Sequence, residues 1–229
     1  MTITVETISD DLWAKTIASR FEATVEQGHR ICLATGNTPT PLYAEVAQLM
    51  ALDGLTIFLL DEFGGLPADD PGRCVSMITR DLIDRAGGVP TVHVPDVNSP
   101  DHDTAAQRYG ELVADGGLDL AIVGLGANGH IGMNEPGTTA DQGVRVVALA
   151  PSTSAGALAY GATIAPTWGI TVGISELLDA REVWVLVTGE QKRDILNRTL
   201  HGEVDSDVPA TFLTEHPNCT FFVDESAHF

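Results

Sequence analysis

An α/β fold is predicted: a doubly wound, mostly parallel sheet with helices on both faces, in a single domain spanning residues 1–229. Three observations predict it. Short apolar runs at 31–34, 56–60, 118–123 and 182–187 lack the alternation of a half-exposed strand and read as strands covered on both faces. Most of these runs lead through a turn rich in Gly, Thr or acidic residues into a stretch with apolar residues at helical spacing. The chain, 229 residues with 44% hydrophobic side chains, is long enough for one sizeable core and short for two.

Taken in order, Trp13, Ile17, Phe21 and Val25 recur every four residues within 10–27 and predict an amphipathic helix. The strand Ile31-Cys32-Leu33-Ala34 ends in Thr35-Gly36-Asn37-Thr38-Pro39, and a helix is expected over 41–49. Strand, Gly/Thr turn and helix N-terminus together suit an anion, although a plain βα turn has the same pattern. The strand at 56–60 runs into Asp61-Glu62-Phe63-Gly64-Gly65, expected to be a loop. Two adjacent acids there should point in different directions, one into the crevice and one to solvent or a structural partner. A carboxylate at the end of a strand is also where a base would be placed.

A helix is expected over 73–85, with Val75, Ile78 and Leu82 inward, then a strand at 92–94 and a helix at 104–114. Strands follow at 118–123, 144–149, 168–172 and 182–187, the small-residue stretch 151–166 reading as a mobile cover over the site. Ser175 is positioned to cap a short helix at 175–178. Lys192 falls in the first turn of a helix reaching residue 200, a place where a cation opposes the helix dipole and an anion nearby would relieve it. A helix at 208–215 and a strand at 220–223 complete the chain.

The segment Leu118–Gly137, LDLAIVGLGANGHIGMNEPG, is the centre of the arrangement. It should deliver His130 and Glu135 beyond the carboxyl end of a central strand, where open α/β sheets bind ligands. Gly124, Gly126 and Gly129 formally match the G-x-G-x-x-G of Rossmann-like dinucleotide sites, but that motif should open a helix early in the fold. Here it lies mid-chain and leads into Gly132 and Pro136, which oppose a regular helix. A zinc site on His130 and Glu135 lacks both a third ligand and a usual spacing; a purely structural histidine is the remaining alternative.

Thirty-two acidic against twelve basic residues give a net charge of −20. That balance argues against nucleic acid and anionic membrane as partners, and obliges any phosphate site to use local donors. The N-terminus lacks a basic stretch followed by an apolar one and no run reaches bilayer length, so a soluble, cytoplasmic protein is expected. Three scattered cysteines, Cys32, Cys74 and Cys219, suggest no disulfide framework.

Five ordered motifs resemble the glucosamine-6-phosphate deaminase/6-phosphogluconolactonase superfamily: Thr35–Pro39, Leu60-Asp61-Glu62, Gly124–Gly137, Gly169–Gly173 and Thr188–Lys192. Within it, Asn134-Glu135-Pro136 is similar to the amino-sugar isomerase/deaminase branch rather than to the lactonases. The surroundings of Gly116–Leu120 and Ala180–Val183 resemble galactosamine-6-phosphate members. The resemblance implies a Rossmann-like fold and a small-molecule sugar phosphate as substrate, with no metal or nicotinamide required. Members range from monomers to hexamers, so a homo-oligomer is among the states implied.

For the site, the resemblance implies a phosphate on Thr35, Gly36, Asn37 and Thr38 with Lys192 supplying charge. Asp61 would be the base, His130 the group that opens the sugar ring, and Glu135 the partner that orients it. Asn128 stands where many members have an acid; an amide can hold the imidazole but cannot stabilise its cation by charge. Cover segments in such deaminases usually place an arginine on the phosphate, yet no Lys or Arg occurs between Arg145 and Arg181. The implied activity is conversion of glucosamine or galactosamine 6-phosphate to a ketohexose 6-phosphate and ammonia. A 6-phosphogluconolactonase and a non-catalytic sugar-phosphate-binding regulator are the alternatives.

Overall fold

The structure, a computed structural model, describes residues 3–229. In chain order it contains β1 (Thr4–Ile8), α1 (Trp13–Thr24), β2 (Arg30–Leu33), α2 (Thr40–Leu49), β3 (Thr56–Leu59) and β4 (Asp61–Phe63). Next come α3 (Cys74–Ile78), which continues as a π-helical turn Thr79–Ile83, then β5 (Thr91–His93), α4 (His102–Ala114) and β6 (Leu120–Gly124). The second half holds β7 (Arg145–Ala148), α5 (Pro151–Ala159), β8 (Trp168–Thr171), α6 (Ile174–Leu178), β9 (Val183–Val187), α7 (Arg193–His201) and β10 (Cys219–Asp224). Two 3₁₀ segments, Glu190–Lys192 and Pro209–Glu215, flank α7.

Seven strands form the main sheet in the order β1-β10-β9-β6-β2-β3-β5, every pair parallel. Its two faces carry separate cores, as a doubly wound sheet requires. On one, alternate strand residues Ile31, Leu33, Ile57, Leu59, Trp184 and Phe222 pack against Trp13, Ile17, Phe21, Leu42 and Val46 of α1 and α2. On the other, Cys32, Phe58, Ala121, Val123, Val185 and Phe221 meet Tyr109, Leu177 and Leu196 of α4, α6 and α7. The strand order reverses between β2 and β6. A crevice therefore opens beyond the carboxyl ends of those two strands, where the Thr35–Pro39 and Gly124–Gly137 loops lie.

A second, three-stranded antiparallel sheet, β4-β8-β7, was not anticipated. The stretch from Asp61 to Phe63, expected to be a loop, pairs with Thr171, Ile170 and Gly169. The strands expected at 144–149 and 168–172 exist as β7 and β8, but they belong to this small sheet. The stretch 151–166, weakly patterned by sequence, opens with helix α5, whose N-terminus has Pro151 at a position where the missing N–H costs nothing. The N-terminal strand β1 was missed because it is a largely exposed edge with few apolar residues to mark it. The segment at 208–215 is 3₁₀ rather than α-helical. Among the described residues no helix is long and apolar enough to cross a membrane.

Ser175 does not cap α6. The cap position is Gly173, whose N–H donates to Glu176 Oε2 at 3.1 Å, while Val144 N–H donates to Glu176 Oε1 at 3.2 Å. Glycine is needed here for space: a Cβ would lie 2.1 Å from the Gln142 carbonyl oxygen and 2.5 Å from the Gly143 carbonyl carbon, both backbone atoms that cannot rotate away. Gly173→Ala should lower the unfolding free energy by about 1–3 kcal/mol, the usual cost of overpacking. Urea unfolding checks this, and a wild-type midpoint would contradict the tight α6–β7 junction.

Candidate active site

Asp61 sits where the chain passes from the main sheet to the small one. Leu60 N–H donates to the Leu33 carbonyl at 3.0 Å, and the Leu60 carbonyl accepts from Val172 N–H at 2.8 Å. The backbone before Asp61 is thus bonded into both layers, and in β4 its side chain faces the crevice while that of Glu62 faces the interior. Glu62 is fully buried at the start of α3, accepting from Cys74 N–H at 2.9 Å, Val75 N–H at 3.1 Å and Phe63 N–H at 2.8 Å, with Arg73 Nε at 3.5 Å. The adjacent acids do diverge: Glu62 anchors α3 and Asp61 lines the cavity.

The Gly124–Gly137 stretch forms a closed loop, not the start of a helix. Gly126 N–H donates to the His130 carbonyl at 2.9 Å, and Leu125 bridges Ile131. The His130 ring lies so close over Gly126 that a Cβ there would come within 2.3 Å of it. The loop is tied to the small sheet by buried Asn134, whose amide donates to the Ile131 and Val172 carbonyls and whose oxygen accepts from Arg145. Its Asn-Glu-Pro segment therefore has a structural half, Asn134, and an electrostatic half, Glu135.

Glu135 Oε2 lies 3.6 Å from His130 Nδ1, beyond hydrogen-bond reach, and that ring nitrogen is buried without a partner among the described residues. Glu135 Oε2 accepts from Asn128 Nδ2 at 2.9 Å, and Oε1 from the Thr153 hydroxyl of α5. The imidazole beside it is the largest influence; with the Thr153 and Asn128 donors it outweighs burial and holds the Glu135 carboxyl down to about 2. Contrary to the expectation from sequence, Asn128 does not hold the imidazole. Its oxygen accepts the His130 backbone N–H at 3.1 Å, and its amide serves Glu135. An acid at 128 could not donate in that way; it would face Glu135 as a second charge.

One cavity of about 470 Å³ gathers these groups. Asp61, Asn128 and His130 line it together with Thr35, Asn37, Thr38 and Lys192; Gly36 is buried in the same loop, and Glu135 stands behind His130. Gly36 needs its glycine, having a φ of +104° and the Tyr160 hydroxyl 3.3 Å from where a Cβ would be. Lys192 lies in the 3₁₀ turn immediately before α7 rather than within the helix, and burial lowers its pKa. Among the described residues it has no ion-pair partner, so a half-buried cation faces the cavity available for an anion. No group of three or more His, Cys, Asp or Glu among the described residues could hold a metal.

The cavity also includes Cys74, Thr153 and Tyr160, which sequence reasoning did not select. Pro151-Ser152-Thr153 carries a helix-start signal that could have indicated α5. Nothing local could have brought Cys74 to Asp61, because it lies thirteen positions further on, across mostly irregular chain.

Comparison with known proteins identifies relatives of this chain. The chain matches the family of glucosamine-6-phosphate isomerases/6-phosphogluconolactonases over residues 6–222. Glucosamine-6-phosphate deaminase 1 of Giardia intestinalis is 38% identical over 205 residues, covering 85% of this chain and 77% of that protein. A solved monomeric glucosamine-6-phosphate deaminase superposes with a TM-score of 0.92 at 29% identity, covering 98% of both chains. The 6-phosphogluconolactonase of Thermotoga maritima, at 22% identity and a TM-score of 0.80 over 98% of this chain and all of that one, shares the fold.

Asp61 has the opposite electrostatics to Glu135. Burial pushes its carboxyl up to about 6, helped by the neighbouring Glu62 charge and opposed by the Cys74 thiol and His130. A raised folded-state pKa favours the folded protein below the unfolded value of 3.8, and that advantage is lost as pH rises through about 6. Asp61→Asn should therefore be more stable than wild type at pH 8, on the order of 1–3 kcal/mol, with little difference at pH 4. Urea unfolding of both proteins at the two pH values tests this; an equal gap at both would contradict the buried-charge account.

Proposed function

This chain belongs to the glucosamine-6-phosphate isomerase/6-phosphogluconolactonase family, and from that premise we propose that it is an aldose–ketose isomerising deaminase of a hexosamine 6-phosphate. Glucosamine 6-phosphate is the substrate favoured by the names of its relatives. The observation that supports the reading most is the sharing of one cavity by Asp61 and His130 with the Thr35–Thr38 loop and Lys192.

The phosphate is bound by backbone N–H groups and hydroxyls of the loop, with Lys192 supplying its charge. His130 moves the proton between the sugar's first hydroxyl and its ring oxygen, which opens the ring. Glu135, ionised at all working pH values, favours the imidazolium formed in that step. Asp61 removes the proton from the second carbon to give a cis-enolamine and returns it to the first. The second carbon is then an imine, which water hydrolyses to a ketone with release of ammonia. An acid with a pKa near 6 is suited to accepting and returning a proton near neutrality, where an ordinary aspartate would hold it too weakly.

The deciding experiment is ammonia release from glucosamine, galactosamine and N-acetylglucosamine 6-phosphates in parallel, with hydrolysis of 6-phosphogluconolactone as the rival arm. Ammonia from glucosamine 6-phosphate is expected, and Asp61→Asn should lower kcat about 10²- to 10⁴-fold while a product analogue still binds. Lactone hydrolysis outpacing every deamination would overturn the reading. Loss of the Lys192 cation should act on binding: Lys192→Ala is expected to raise KM about 10- to 100-fold with a smaller effect on kcat. An unchanged KM would remove Lys192 from the phosphate site.

A further inference from the structure

Asp61 has an unusual hydrogen-bond environment for a part-buried acid. Among the described residues its carboxylate accepts from one protein donor, the Cys74 thiol, with Sγ 3.3 Å from Oδ1. The other oxygen, Oδ2, lies near Gly132, where a Cβ would come within 3.1 Å of it. Cys74 lines the same cavity and is 1% exposed. It is the first residue of α3, and its own N–H is bonded to Glu62, the residue after Asp61. The two contacts are reciprocal: β4 fixes the start of α3 through Glu62, and α3 returns a thiol to Asp61. The Thr35 side chain, from the proposed anion loop, lies against the same sulfur.

We propose that Cys74 is a positioning residue for Asp61, its thiol holding the carboxylate toward the cavity with a bond weak enough to leave it a usable base. The inference rests on the reading of Asp61 as the base. A hydroxyl or amide donor would orient the carboxylate equally well but would stabilise its anion more, lowering the affinity for the proton it must take up. A thiol is a weak donor. Burial and the nearby acids also keep Cys74 protonated, its pKa lying well above the usual thiol value, so it remains a donor and does not compete for the proton.

The other titratable groups near Asp61 are Glu62 and His130 together with Cys32, Tyr43, Tyr109 and Tyr160. Burial raises the pKa of that second thiol and of all three phenols, which leaves them uncharged at neutral pH. Glu62 raises and His130 lowers the Asp61 pKa, and neither is altered by a substitution at position 74.

The pH profile of kcat/KM in Cys74→Ser and Cys74→Ala tests the proposal. In wild type the acid limb should have a midpoint near 6. With Ser, a stronger donor, the limb should move to lower pH and the plateau rate should fall severalfold. With Ala, no donor remains: the limb should move to higher pH and kcat should fall about ten- to a hundredfold, while KM stays within about twofold. Opposite displacements of the limb are the expected result; a purely structural role predicts none, and displacements of the same sign would overturn the proposal.

The S–H stretching band, isolated as the infrared difference between wild type and Cys74→Ala, gives a second readout that needs no turnover. It should shift with pH through the Asp61 titration and lose that pH dependence in Asp61→Asn. A wild-type band indifferent to pH overturns the proposal even if the variants fold poorly. A titrating band in a protein that releases no ammonia would instead overturn the reaction and leave the thiol contact standing.

Discussion

The site depends on the way the chain leaves β3. Instead of turning into solvent, the strand continues through Leu60 into a second sheet, and Leu60 is hydrogen-bonded to Leu33 on one side and Val172 on the other. Asp61 is the first residue beyond that seam. Its backbone is fixed by two independent ladders, and among the described residues its carboxylate accepts one side-chain hydrogen bond, from the Cys74 thiol. A carboxylate positioned in this way can remain poorly solvated and weakly bonded without wandering. Those two properties raise its pKa, and the backbone bears the cost of holding it there.

The same small sheet positions the opposite wall of the cavity. Asn134 ties the Gly124–Gly137 loop to Val172 and Arg145, and Met133 N–H donates to Thr171 Oγ1 at 3.3 Å. Asp61 and His130 approach from different strands of the main sheet but are referenced to one secondary layer. That common reference explains how two groups far apart in sequence keep a fixed relation across an open crevice. The anion binding proposed for this protein of net charge −20 follows a similar logic. Long-range attraction is absent, so the loop of backbone donors and one half-buried lysine must act at contact distance, where bulk charge matters least.

Much of the main sheet was legible in the sequence because its strands are apolar on both faces and end in Gly, Thr or acid. Ile31–Ala34, Thr56–Leu60 and Leu118–Val123 marked three neighbouring strands to within about two residues of their observed ends. The small sheet was hidden for a physical reason. Asp61-Glu62-Phe63 is too short and too acidic to register as a strand, and its pairing with Gly169–Thr171 closes a separation of about a hundred residues. The Asp61 and His130 positions were visible as titratable groups at strand ends. Their partners were not, because Cys74, Glu62's helix and Thr153 all arrive through contacts that no local pattern encodes.

Two carboxylates in one site, Asp61 pushed up to about 6 and Glu135 held down to about 2, are separated by the donors each receives. Glu135 is surrounded by an amide, a hydroxyl and an imidazole; among the described residues Asp61 accepts from a single thiol, and it has an acidic neighbour. In the proposed mechanism, environments that drive two acids apart suit them to different work: one stays charged, the other exchanges a proton near neutrality. The Asn128 departure belongs to this division. A second carboxylate at 128 would face Glu135 as a like charge and raise the pKa of both, whereas the amide donates to Glu135 and helps keep it an anion. The residue that looked like a weakening of the site in sequence thus supports the contrast between the two acids on which the proposed proton transfers depend.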